Sequence, residues 1–384
     1  MKHILFVIPY LTTGGTNRSL QCLLSFIDST QYDVDVFVLA EGGVYQGGFP
    51  NSRILPCDGL VDSIIGHYSN KKGLRRIMSG IAKTLCKLTD YKFQEYVFRR
   101  ASKKLQVAKY DAVVAYSEGV ATAFVGHIRH YNKIAWIHCD YASYCGLNRN
   151  RDEYGIYKGY KSVVCVSQYT RQSFLKYYPP LDTRTFAIHN LVDDRMMVEK
   201  SRENSDITFC HDRINIVSVG RIDPVKRMSA IPEIASRLRA RNLDFNWFII
   251  GPTGSAEEYK KLTDNVEKYK CGESVFLLGE KSNPYPYIKK ADLLVVPSQS
   301  EACPYVINEA LLLGTPVVST DFGSASEFIV DGKNGIISQL DKIHLAILNL
   351  VSDKRRFETI NRNVSEFRYD NPTLLYKILS LLNG

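Results

Sequence analysis

No apolar run in this 384-residue chain approaches the roughly 20 residues that cross a bilayer, which excludes an ordinary spanning helix. The N-terminal run Ile4–Ile8 stops at Pro9 with no small-residue cleavage site behind it, so it reads as a buried first strand and not as a signal peptide. Cysteine pairing is missing too. The nine cysteines are odd in number and scattered, without one Cys-x-x-Cys, which argues against a disulfide framework or a zinc site. Free buried thiols suit a reducing compartment, so the expected location is cytoplasmic. Internal repeats and low-complexity stretches are absent. With 45% hydrophobic and 23% charged residues, the chain is neither disordered nor fibrous. No Gly-x-Gly-x-x-Gly follows a candidate first strand, which disfavours a nicotinamide oxidoreductase.

Charge imbalance is missing from half the chain. The net charge is +9, yet residues 201–384 hold 23 basic and 23 acidic side chains. Residues 1–200 hold 26 basic against 17 acidic. Within them, residues 71–109 carry 12 Lys and Arg against Asp90 and Glu95 alone.

What is present is an alternation of short apolar, β-branched runs with longer helical patterns. The first series is Ile4–Ile8, Val34–Leu39, Ala112–Ala115, Ile134–Ile137, Val163–Val166 and Phe186–Ile188. The second is Ile214–Val219, Phe245–Ile250, Val275–Leu278, Leu293–Val296 and Pro316–Ser319. Continuous apolar strands between helices are those of parallel sheets covered on both faces, so the fold class is α/β with two doubly wound, Rossmann-like domains. The expected domains are 1–195 and 196–371, with the change of domain in the polar stretch 195–212. Residues 372–384 read as a C-terminal helix packing back on the first domain.

Two stretches carry candidate chemistry. Val217-Ser218-Val219-Gly220 ends a strand, and Arg221 and Lys226 follow it. Ligands of parallel sheets bind beyond the carboxyl ends of strands, where two cations suit a diphosphate. Solvated loop charges are the plain alternative. The second stretch, Pro297 to Leu311, follows Leu293–Val296, with Glu301 in the loop and Glu309 one turn into a helix starting near Tyr305. That helix start offers the N–H groups of Tyr305 and Val306 to an anion. A capping role for Glu301 and a surface position for Glu309 are the alternatives.

Glu301 and Glu309, with seven residues between them, followed by Ala310-Leu311-Leu312-Leu313-Gly314-Thr315-Pro316, resemble the Glu-x7-Glu signature of retaining glycosyltransferases with the GT-B fold. With Gly220-Arg221, Lys226, Gly323–Ile329, Asp331–Gly335, Val166–Thr170 and Ile188–Asp193, the chain resembles family 4 of those enzymes over nearly its whole length, most strongly over 214–335. The resemblance implies two domains facing across a cleft. It implies that Arg221 and Lys226 bind the donor diphosphate, Glu309 the nucleotide ribose and Glu301 the sugar hydroxyls. Backbone at Cys303, Pro304, Tyr305 and Val306 would complete the phosphate cradle. Gly14 and Gly15, in Leu11-Thr12-Thr13-Gly14-Gly15, match the family's glycine loop, and His138 matches the residue facing the sugar. A structural histidine is the alternative for His138.

The implied reaction is retaining transfer of a hexose from a nucleotide-diphosphate sugar, UDP favoured over GDP, to a glycan or lipid-linked acceptor in cell-surface polysaccharide synthesis (capsule or lipopolysaccharide). No cofactor and no metal are expected. Asp33-Val34-Asp35 is a literal Asp-x-Asp, but it opens a strand and reads as an exposed strand edge and not as a metal site. The chain departs from the family at Ala302-Cys303, where Gly-Phe is common, and at Arg227, where glycine is common. A nucleotide-sugar epimerase of the same architecture and a non-catalytic nucleotide-sugar-binding subunit are the competing readings.

In the basic segment, Leu74, Ile77, Met78, Ile81, Leu85 and Leu88 fall at helical spacing, and Phe93, Val97, Ala101 and Leu105 continue a second helix. A basic amphipathic helix fits an anionic membrane surface, peripheral on the inner face of the cell membrane; a solvated helix face is the alternative. No nucleic-acid motif accompanies the charge.

Overall fold

The protein is described by a computed structural model over residues 1–11, 14–42, 48–67, 71–147 and 153–384. It divides into two compact units, Met1–Leu191 with Asp370–Gly384, and Val192–Tyr369. The division comes at Leu191/Val192 and not at 195/196, because Val192 and Met197 are buried in the core of the second unit. The chain returns to the first unit at Asp370 and not at 372, since Asp370 caps the returning helix.

In the first unit, β1 (Lys2–Ile8), β2 (Tyr32–Val38), β3 (Ser52–Leu55), β4 (Ala112–Ala115), β5 (Lys133–Ile137), β6 (Ser162–Cys165) and β7 (Thr185–Ala187) form one seven-stranded sheet. Its order is β3-β2-β1-β4-β5-β6-β7, and every pairing is parallel. The middle strands are apolar without interruption because helices cover both faces: Ile4 to Ile8 are all fully buried. The chain reverses its direction of winding between β1 and β4, the switch point where such sheets open a binding crevice.

Helix Asn371–Asn383 completes this unit. Asp370 accepts from Thr373 N–H at 3.2 Å, and Pro372 occupies the first turn, where no N–H is needed. Ile378 and Leu382 are buried; Asn132 Nδ2 donates to the carbonyls of Leu381 and Leu382, and Tyr32 Oη to Asn383.

In the second unit, β8 (Ile214–Val219), β9 (Phe245–Ile250), β10 (Val275–Gly279), β11 (Leu293–Val296), β12 (Val317–Thr320) and β13 (Gly335–Ser338) form a six-stranded parallel sheet. Its order is β10-β9-β8-β11-β12-β13, so the switch point lies between β8 and β11. A buried polar chain crosses that junction: Trp247 Nε1 donates to Ser218 Oγ at 3.1 Å, and Ser218 donates to the Val295 carbonyl at 2.6 Å. Among the described residues, no helix is long and apolar enough to cross a membrane.

Candidate functional site

The second unit's switch point carries both charged stretches singled out in the sequence. Beyond β8 the loop is laced to the loop after β9: Ile222 N–H donates to Pro252, and Gly254 and Ser255 donate to Ile222. Gly251 makes this approach possible. A Cβ there would lie 2.0 Å from the Gly220 carbonyl oxygen, and its φ of +151° also favours glycine. Gly254 clears space for Arg221, whose side chain a Cβ would meet at 2.5 Å. Arg221 Nε donates to Asp223 Oδ2 at 2.7 Å, and Asp223 Oδ1 accepts from Lys226 N–H at 3.0 Å. Asp223 thus holds the Arg221 side chain and the Lys226 backbone.

The loop after β11 meets the same loop, with Gln299 N–H donating to the Val225 carbonyl at 2.7 Å. That contact brings Lys226 and Glu301 together: Lys226 Nζ lies 2.5 Å from Glu301 Oε1, which also accepts from Ser298 Oγ at 2.7 Å. The pair is largely withdrawn from water, with side-chain exposures of 26% and 10%. Ser324 Oγ donates to the Glu301 carbonyl at 2.8 Å, so the Gly323–Ile329 stretch braces the same residue. Glu301 is therefore not a capping carboxylate of the following helix. It belongs to a polar cluster at the strand ends.

Helix Tyr305–Leu312 begins at Pro304, which supplies no capping side chain. Cys303 and Tyr305 are half-buried at its start, as is Val306, and all three pack against the core. Glu309 is 1% exposed, so the surface-helix alternative does not hold. A carboxylate is rarely buried without polar partners, and its helix carries it inward beside the β11 loop.

The first unit's switch point holds the remaining candidates. Gly14 begins helix Gly15–Phe26 and offers no cap side chain; a Cβ at either glycine would meet nothing within 4 Å. Among the described residues no contact demands glycine there. Thr12 and Thr13 lie outside the described residues. Ser19, one turn in, hydrogen-bonds Tyr116 Oη at 2.7 Å and Asn190 Oδ1 at 2.9 Å. These bonds join the glycine-loop helix to the end of β4 and to the Ile188–Asp193 stretch. The Val166–Thr170 stretch has a structural task, since Ser167 caps helix Gln168–Tyr177 by accepting from Thr170 N–H.

His138 follows β5, half-buried against Tyr116 at 4.9 Å between ring centroids. Its Nε2 is buried and has no hydrogen-bond partner among the described residues. Burial pushes its pKa down to about 3, so the imidazole is neutral near neutral pH. The sequence reading missed Glu118, whose Oε2 accepts from His138 N–H at 2.9 Å and thereby fixes the backbone carrying the ring. Burial, followed by the neighbouring Glu118 carboxylate, raises the Cys139 thiol. The only signal was Ser117-Glu118-Gly119 directly after a strand; the partnership depends on β4 lying beside β5.

Asp33 and Asp35 require a correction. They do not lie at an exposed edge, because β2 runs between β1 and β3. Asp35 is 2% exposed and accepts from Arg53 Nε at 2.8 Å and Tyr110 Oη at 2.6 Å, while Arg53 also pairs with Asp33. Burial opposes ionisation of Asp35, but these donors outweigh it and hold the carboxyl below its usual range. Among the described residues no three His, Cys, Asp or Glu side chains group as a metal site.

Residues 200–365 match the family model described as Glycosyl transferases group 1. That stretch falls within the second unit, Val192–Tyr369. An uncharacterised glycosyltransferase of Methanocaldococcus jannaschii is 26% identical over 53% of this chain and 54% of its own length. An N-acetylgalactosaminyltransferase of Campylobacter jejuni, whose name specifies a diphospho-undecaprenol-linked acceptor, is 30% identical over 40% of each chain. The matches span about half or less of the curated relatives' lengths. The crystal structure of Anabaena HepE with UDP and glucose superposes with a TM-score of 0.72 at 17% identity, covering 99% of both chains. The two parallel-sheet α/β units are those of the GT-B fold.

Proposed function

We propose that the protein is a retaining, metal-independent glycosyltransferase that moves a hexose from a nucleotide-diphosphate sugar, a UDP-sugar in preference to a GDP-sugar, to a glycan or lipid-linked acceptor in cell-surface polysaccharide synthesis. The observation that carries it is the Lys226–Glu301 pair, held at the switch point of a group 1 domain with Arg221 and Asp223 beside it. The printed names of relatives acting on poly(ribitol-phosphate) and on a diphospho-undecaprenol acceptor support the acceptor class.

In this reading Arg221 and Lys226 take the diphosphate and stabilise the negative charge that grows on it as the glycosidic bond breaks. Glu301 takes sugar hydroxyls and Glu309 the ribose. The N–H groups of Cys303, Tyr305 and Val306 complete the phosphate cradle, and Gly14 and Gly15 admit it without a Cβ in the way. His138, a neutral imidazole, takes the position facing the sugar. Retention follows if the acceptor hydroxyl attacks from the face that the nucleotide leaves, with positioning as the main source of rate.

Lys226→Ala and Glu301→Gln should each lower transfer about 10²- to 10³-fold, the usual cost of one stabilising group. The measurement is release of free nucleotide from a panel of nucleotide sugars, with and without acceptor, in folded variants. Full activity in both variants refutes the assignment. Conversion of the sugar without acceptor or nucleotide release would make the protein an epimerase.

A further inference from the structure

Helix Gly73–Leu88 docks on the first unit through its small residues. Ser79, Ala82 and Cys86 are buried, and Ser79 Oγ donates to the Ser63 carbonyl at 2.7 Å. Successive residues advance about 100° around a helix, so Leu74, Ile77, Met78, Ile81, Leu85 and Leu88 share one arc of roughly 100°, turned away from that docking face. The large side chains of the helix are thus outside and its small ones inside. Leu74 is 72% exposed, Ile77 60%, Ile81 57% and Leu88 78%. Six large apolar side chains gathered on one face are more than the scattered exposed residues of an ordinary surface.

The charges divide into two groups. Lys71 is buried against Asp62 at 2.8 Å and Lys83 donates to the Gly66 carbonyl, so both serve the fold. Arg75 pairs with Glu41, Arg99 with Glu95, and Arg100 and Lys104 with Asp58. Lys72, Lys87 and Lys92 are exposed around the apolar arc.

We infer that this arc inserts at the surface of an anionic lipid bilayer, with the helix lying in the interface and Lys72, Lys87 and Lys92 meeting headgroups. Apolar insertion and electrostatic attraction are the two signals that make interfacial binding stable. A second copy of the chain is a poor occupant, because joining two arcs would bring together the exposed Lys72, Lys87 and Lys92 of each. A convex helix face also offers no groove for a partner helix. The inference stands apart from the transferase reading.

The test is sedimentation of the full chain with vesicles of phosphatidylcholine alone and of equal parts phosphatidylcholine and phosphatidylglycerol. Wild type should pellet with the mixed vesicles and not with the neutral ones. Replacing Ile77, Ile81 and Leu88 together by Gln should weaken partition about 100-fold, since each contributes the transfer of an exposed aliphatic side chain. Those residues bury little, so the thermal midpoint should stay unchanged. Replacing Lys72, Lys87 and Lys92 by Gln should weaken binding to mixed vesicles and remove its salt dependence. Three results would each overturn the inference: wild type that ignores mixed vesicles, an apolar variant that binds as wild type, or a concentration-dependent dimer that the apolar variant abolishes. Nucleotide release from a sugar donor, measured on the same preparations, reports on the transferase reading separately.

Discussion

Arg227 occupies a left-handed backbone conformation, with φ of +51°. That conformation costs an L-residue about 1–2 kcal/mol, and a glycine escapes most of it. The departure noticed in the sequence, arginine where glycine is common, therefore falls at a position whose geometry favours glycine. Arg227→Gly should raise stability by about 1 kcal/mol or less, because glycine's greater freedom in the unfolded chain offsets part of the relief. Chemical denaturation would measure it, and a clear loss of stability would mean that the arginine side chain outweighs the strain. His138 gives the second residue-level prediction. Its folded pKa near 3 lies below that of an exposed histidine, so the unfolded chain binds the extra proton between those values. Stability due to this group is thus full above about pH 6.5 and falls as pH drops toward 3, by up to a few kcal/mol in total. Thermal melts of wild type and His138→Gln between neutral pH and about pH 5 should converge in the acid range. Parallel curves would show that the ring is solvated.

At the scale of elements, the two glycines after β9 separate two kinds of damage. Gly251→Ala would force a Cβ to within 2.0 Å of the Gly220 carbonyl, so backbone must move and the ends of β8 and β9 part. We expect a loss of several kcal/mol, in the range reserved for strained backbone and overpacking, visible in denaturation. Gly254→Ala meets only the flexible stem of Arg221. It should leave stability almost unchanged while raising the donor KM, since the displaced guanidinium no longer sits beside Asp223. An unchanged KM would remove Arg221 from the phosphate site. These elements were largely legible in the sequence. All eleven apolar runs are strands, because a buried parallel strand must be apolar along its whole length. β3 and β13 were not read. Ser52–Leu55 is a four-residue edge strand with two exposed residues, and Gly335–Ser338 begins at a glycine and ends partly exposed, so neither carries a continuous apolar signal. Missing β3 is also why Asp33 and Asp35 were taken for an edge. Glu301 and Lys226 could be named from spacing and resemblance, but their mutual pairing could not, because it depends on the Gln299–Val225 bond between two loops far apart in the chain. Glu118 stayed hidden for the same reason.

At the scale of the molecule, the chain leaves its first unit at Leu191, builds the second, and returns to finish the first with its last helix. The first unit therefore cannot be complete without the last residues of the chain. Helix Asn371–Asn383 buries Ile378 and Leu382 and supplies carbonyls to Asn132, a residue that is itself 1% exposed. Removing the helix would uncover those side chains' docking site and leave the Asn132 amide without these acceptors. Two aliphatic side chains account for about 3–6 kcal/mol of transfer free energy, and a lost buried hydrogen-bond partner adds about 1–3. Truncation after Tyr369 should accordingly lower the first unit's stability by about 4–9 kcal/mol, which for a domain near 200 residues is a fall of roughly 10–35 °C in its melting temperature. Hydrogen exchange should show the loss first in β2 and β5, whose starts adjoin the helix through Tyr32 and Asn132, while β8 and β9 keep their protection. Charge gives a further control: the helix adds only Lys377 to a strongly basic unit, so salt should not rescue the truncated chain. Uniform loss of protection across both sheets would instead mean that the two units unfold as one, and that the returning helix stabilises more than the unit it completes.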